Sequence, residues 1–208
     1  MLEIDSLIAF FTASILLALI PGPDNIYVLT QSIMQGKKAA FMIIFGLCTG
    51  LLFHTLMVVI GVSLIFQTSL FAFTLLKIVG ATYLLYLAWQ LFRSSNSKLK
   101  FNKNILVDYK KLYLKGIFMN ITNPKVFIFF LAFFPQFTNE KIGNINLQIL
   151  ILGLLFIIST ILVFGLIAIF SSTLSKFFTN SILAQKILNR LTSFIFLALA
   201  IKLVITKQ

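Results

Sequence analysis

The chain has 208 residues, of which 60% are hydrophobic and only 11% charged, with a mean hydropathy of +1.05 and a formal net charge of +12. Soluble domains average nearer half apolar and a quarter charged, so the composition excludes an ordinary water-soluble domain and points to a polytopic membrane protein. The basic residues lie between apolar stretches, so they read as a topology signal rather than as a nucleic-acid surface.

In chain order, the first apolar stretch runs from about Ser6 to Met34. Its start, Met1 to Asp5, is acidic, and no small-x-small cleavage pattern follows, so it reads as a retained span rather than a signal peptide. As a straight helix it would rise roughly 43 Å, against a hydrocarbon core of ~30 Å. A break at Pro21-Gly22-Pro23 absorbs the excess. The second span covers about Ala39 to Phe66 and the third Leu70 to Phe92. A polar segment, Arg93 to Lys111, follows. The fourth span covers about Tyr113 to Phe137, with Pro124 near its centre, the fifth Leu147 to Phe170 and the sixth Ile187 to Ile205. Residues 171–186 read as a short amphipathic connector.

The fold expected is an all-α integral membrane protein of six transmembrane helices, with helices 1 and 4 broken at Pro21–Pro23 and at Pro124. Residues 1–208 form one transmembrane domain: a first repeat at about 6–92, a basic cytoplasmic loop at about 93–112 and a second repeat at about 113–205. Pro21 and Pro124 are 103 residues apart, close to half the chain. Three spans per half is an odd number, so the two repeats are inverted. The same offset aligns Gly50 with Gly153. Alternating the loops puts twelve basic residues on one side and three, Lys141, Lys202 and Lys207, on the other. The side with twelve is cytoplasmic, both termini face out, and the basic loop lies against the headgroups of the lipid bilayer.

Paired interruptions at matching places in two halves mark transporter binding sites. Asp24 is the only acid inside any span; Glu3, Asp5, Asp108 and Glu140 lie in termini or loops. An intramembrane carboxylate is costly and by default functional, although Asp also caps half-helices. Lys125, just after Pro124, lies about 12 residues, roughly 18 Å, from either end of its span. Snorkelling cannot cover that distance, so the lysine is expected to line a cavity. Asn120, Thr122 and Asn123 serve either freed backbone groups or a ligand, and Asn25 completes the first motif. Two half-helix N-termini carrying Asp24 and Lys125 suit the two poles of an amino acid, the carboxylate resting on the lysine and the adjacent amides. The rival arrangement is a direct Asp24–Lys125 ion pair that only holds the fold.

Gly46, Gly50 and His54 share one helix face, which suggests close packing. His54 is either a proton relay or a hydrogen-bonded structural residue. Lys77 lies about two turns inside its span, where snorkelling is easy. Tyr83, Tyr86 and Trp89 fit an interfacial aromatic belt, and the 24 phenylalanines fit packing and lipid-facing bulk. Small-residue faces serve intra-chain packing or a homodimer equally well. One Cys (Cys48) and one His supply neither a disulfide nor a metal ligand set. No phosphate loop, G-x-S-x-G elbow or H-E-x-x-H motif is present, so no enzyme activity and no cofactor is expected, and any driving force comes from an ion gradient or a partner.

Four segments together resemble the LysE/RhtB family of amino-acid exporters, over nearly the whole chain. They are Pro21-Gly22-Pro23-Asp24-Asn25 and Gly36-Lys37-Lys38 followed by Gly46. They continue with Leu76 to Leu87, which carries Lys77, Gly80, Ala81, Tyr83 and Tyr86, and with Gly116 to Lys125, which carries Asn120 and the Asn123-Pro124-Lys125 triplet, followed by Phe133 to Phe137. The resemblance implies export of amino acids or close derivatives, driven by proton motive force, in a bacterial inner membrane, and it implicates Lys77. The family's substrates are basic, hydrophilic or branched, so the resemblance does not select one. An exporter of an inorganic cation or other small metabolite on the same scaffold is the alternative, though one acid and no thiolate cluster make a poor divalent site. A non-transporting membrane scaffold leaves the two mid-span breaks unexplained.

Overall fold

The computed structural model describes residues 2–20, 22–68, 70–93 and 107–171, with residues 190, 193–194, 197–198, 200–201 and 204–205 of the C-terminal stretch. Among these the regular structure is helical: α1 (Ile4–Leu19), α2 (Pro23–Gln35), α3 (Lys37–Thr68), α4 (Leu70–Arg93), α5 (Tyr109–Ile121), α6 (Pro124–Phe133) and α7 (Ile145–Ile169). Two 3-10 turns, Phe134–Phe137 and Glu140–Ile142, connect α6 to α7. Helices occupy the stretches expected for the first five spans, namely α1 with α2, α3, α4, α5 with α6, and α7. The expected sixth span, most of the 171–186 connector and residues 94–106 of the basic loop lie outside the described residues.

Local chemistry sets the boundaries. α2 and α6 each open on a proline, where the missing N–H removes nothing from the helix. Gly36 ends α2 at φ +87°, a backbone region that favours glycine. Asp108 caps α5 by accepting the Lys111 N–H at 3.0 Å. Asn144 caps α7 by accepting the N–H groups of Asn146 and Leu147. α1 and α2 meet at a bend of 62°, α5 and α6 at 51°. Among the described residues, α7 and the Lys37–Gly61 part of α3 are each long and apolar enough to cross a membrane. The two bent pairs bring the number to four if each is one span.

Among the described residues, large apolar side chains face outward and a set of polar ones is buried. Leu147, Leu150, Leu154, Ile158 and Leu162 cover an exposed face of α7, and Phe45, Leu52 and Leu56 one of α3. Asp24, Asn25, His54, Asn120, Asn123 and Lys125 are buried. The apolar core is split in two. One part gathers Phe10, Phe129, Phe130, Phe133, Phe134 and Phe156. The other gathers Val28, Ala39, Ile43, Leu47, Phe164 and Ala168. The helix breaks, and the buried polar residues with them, lie where the two parts meet.

α3 and α5 run parallel in close contact. Gly46 faces Gly116 and the Tyr113 carbonyl, Gly50 faces Asn120, and His54 reaches Asn120 from one turn further on. A Cβ on Gly116 would strike the Ile43 carbonyl, so the glycines of this face are needed for the approach of the two backbones. Gly153 packs instead on Thr55. The Gly50 and Gly153 aligned by the 103-residue offset therefore do not make equivalent contacts. α1 and α2 pack on α7, where the Ser32 hydroxyl donates to the Ala168 carbonyl at 2.8 Å.

Candidate transport site at the two helix breaks

The site is built from the carbonyls that the prolines release. In a continuous helix the Leu17 carbonyl would accept from residue 21 and the Asn120 carbonyl from residue 124. Both positions are proline and carry no N–H. Lys125 answers the first break: its Nζ donates to Leu17 O and Ile20 O, each at 3.4 Å. Asn25 supports the same break, donating to Ala18 O at 2.7 Å and accepting the Gly22 N–H at 3.2 Å. His54 answers the second, with Nε2 3.1 Å from Asn120 O. A carbonyl only accepts, so Nε2 carries the hydrogen. The His54 ring is seated among Phe53, Phe127 and Phe130.

Asn123 joins the two breaks. Its Oδ1 caps α6 by accepting the Lys125 N–H at 3.0 Å, and its Nδ2 donates to Asp24 Oδ2 at 2.7 Å. Asp24 does not cap α2; Gly22 occupies that position without a side-chain bond. Among the described residues, Oδ1 of Asp24 has no partner, and neither has Oδ1 of Asn120. The Thr122 hydroxyl turns back to Phe118 O at 2.7 Å. Gly22 leaves room for the lysine, since a Cβ there would come within 3.3 Å of Lys125 Nζ.

Asp24, Asn120 and Lys125 line one cavity, together with Thr160 and apolar side chains that include Leu47, Leu51 and Phe156. Among the described contacts the Asp24 carboxylate bonds Asn123, while the Lys125 ammonium bonds Leu17 O and Ile20 O. The free space is close to that of one water molecule. The amides expected to meet a carboxylate at the start of α6 are engaged: Val126 N and Phe127 N both donate to Asn123 O at 3.1 Å.

A family model for LysE type translocators matches residues 15–207. The chain belongs to this family. It is a membrane transporter and not an enzyme. Membrane protein YrhP of Bacillus subtilis is 32% identical over 209 residues, covering 95% of this chain and 97% of the relative. The homoserine/homoserine lactone efflux protein of Salmonella typhi is 37% identical over 155 residues, 74% of this chain and 75% of the relative. The leucine efflux protein of Salmonella choleraesuis is 26% identical over 145 residues, 69% and 68% of the two chains. No solved structure matches.

In this translocator the cavity gathers three of the residues singled out from sequence, Asp24, Asn120 and Lys125. Asn25, Asn123 and His54 stand behind them, Gly22, Pro23 and Pro124 shape the breaks, and Pro21 lies outside the described residues. Lys77 belongs to α4, but its side chain lies outside the described residues. The sequence reading missed Thr160 and the walls supplied by α3 and α7. Thr160 carried a signal: Ser159 and Thr160 are a polar pair in the middle of the most apolar helix.

Proposed function

We propose that the chain is a secondary transporter that exports an amino acid or close derivative across the bacterial cytoplasmic membrane, driven by the proton gradient through alternating access. The observation that carries this reading is the cavity at the two breaks, lined by one buried carboxylate and one buried ammonium that hydrogen-bond different partners. Asp24 meets the substrate amine or carries the coupling proton, and Lys125 supplies the opposite charge. Relatives named as efflux proteins for homoserine, its lactone and leucine support an amino-acid cargo. The free space holds about one water molecule, so admitting cargo requires the helices to part at the bends.

Six spans in two inverted three-span halves, within one domain of residues 1–208, complete the reading. Each broken span packs on the second span of the other half, α5 on α3 and α1 with α2 on α7, which is the pattern inverted halves give. The side carrying Lys37, Lys38, Lys110 and Lys111 faces the cytoplasm.

Proteoliposomes loaded separately with each amino acid, under an imposed pH gradient, test the proposal. Gradient-dependent efflux of one or a few amino acids, collapsed by a protonophore, is expected. Absence of amino-acid flux from folded protein, with flux of an inorganic cation instead, would contradict it.

A further inference from the structure

Among the described residues, Thr160 is the one polar side chain that the unbroken helices α3 and α7 bring to the cavity; their other lining residues are leucines and phenylalanines. Phe156, Thr160 and Phe164 lie at successive turns of α7, so a phenylalanine flanks the threonine on either side along one stripe. Thr160 is 3% exposed.

A hydroxyl buried in a helix commonly bonds back to the carbonyl four residues earlier. Ser14, Thr55 and Ser159 do so here, at 2.8, 2.8 and 3.0 Å. Thr160 does not, and among the described residues its hydroxyl has no hydrogen-bond partner. Nor is its oxygen sealed in by protein, as Oδ1 of Asp24 and Oδ1 of Asn120 are. It opens on the cavity that it lines. Buried polar groups are nearly always paired, so this hydroxyl, both donor and acceptor, is left for whatever enters.

The charged groups of the lining, Asp24 and Lys125, come from the helices that start at the breaks. A ligand held there by its charged ends turns its side chain to the remaining wall, that of α3 and α7. α7 runs unbroken from Ile145 to Ile169, so this wall keeps its shape when the bends open.

We infer that Thr160 reads the side chain of the cargo: its hydroxyl pairs with a hydroxyl on the ligand, and the cavity favours a small hydroxylated amino acid over the aliphatic one of the same shape. The inference rests on the amino-acid reading above and adds to it the residue that selects among amino acids.

The test uses the full chain in lipid nanodiscs and reads ligand-induced thermal stabilisation. The probes are two pairs matched in shape, threonine with valine and homoserine with norvaline. In the wild type the hydroxylated member of at least one pair is expected to bind about three- to tenfold more tightly, the net worth of one neutral hydrogen bond. The Phe156 carbonyl, four residues back, offers the Thr160 hydroxyl a fallback when an aliphatic ligand is bound, which keeps the ratio in that range. T160V is expected to lose or invert the preference and T160S to keep it, whereas a merely structural threonine would weaken both members of a pair alike. T160A reads the same ratio should T160V fail to fold. Equal binding within both pairs in the wild type, or a preference that survives loss of the hydroxyl, overturns the inference while leaving an amino-acid transporter standing. Absence of binding by all four probes overturns it as well, and absence of any amino-acid efflux besides overturns the reading beneath it.

Discussion

Each proline that breaks a helix here is answered by a side chain from elsewhere in the chain. Lys125 reaches from α6 to Leu17 and Ile20, and His54 from α3 to Asn120. These are repairs of the backbone, and they predict how single residues fail. H54L leaves the Asn120 carbonyl with one bond fewer and costs about 1–3 kcal/mol, read as a lower melting temperature. The pH dependence of flux should be unchanged, whereas a proton relay at His54 would alter it. Because Asp24 and Lys125 hydrogen-bond different partners, a charge swap should fail. An acid at 125 would face the Leu17 and Ile20 carbonyls with nothing to donate, so the double variant D24K/K125D is expected to be no more stable than either single variant. Recovery of expression in the double variant would restore the ion-pair account. The sequence made Asp24 and Lys125 legible because charge inside an apolar stretch stands out. It did not show that Asn123 would tie them together, since that bond joins residues 99 apart.

At the scale of helices, the signals that were readable were chemical interruptions. Pro-Gly-Pro, Asn-Pro and the glycine at φ +87° set the ends of α1, α2 and α6 before any packing is considered. The cavity walls were not readable for a physical reason. In lipid, a leucine facing the cavity and a leucine facing the hydrocarbon are the same residue type, so amphipathic periodicity is lost. Leu47 and Leu51 line the cavity while Leu52 and Leu56 face outward. The glycine face of α3 was legible by its four-residue spacing, and it gives a graded prediction. G50A pushes on a side chain, Asn120, and costs about 1–3 kcal/mol as overpacking. G116A pushes on the backbone carbonyl of Ile43, which cannot rotate away. The melting temperature should therefore fall further for G116A than for G50A; the reverse order would contradict the packing described.

For the whole molecule, arrangement follows from the ends at which charge collects. α3 and α5 run parallel, so Lys37 and Lys111 lie at one end and Glu140 at the other. Cys48, the only native cysteine, is buried and leaves a quiet background for thiol labelling. K37C and K111C are expected to react with a membrane-impermeant reagent from the same side, and E140C from the opposite side. Labelling of K37C and K111C from different sides would break the proposed topology. The central claim is that the breaks form a transport cavity rather than a structural knot, and D24N tests it most directly. Asparagine matches aspartate in shape and can still accept from Asn123, so the protein should purify folded, with a melting temperature close to wild type. Measured per folded molecule in proteoliposomes under a pH gradient, amino-acid efflux by D24N should fall at least a hundredfold. Efflux at the wild-type rate from folded D24N would contradict the account.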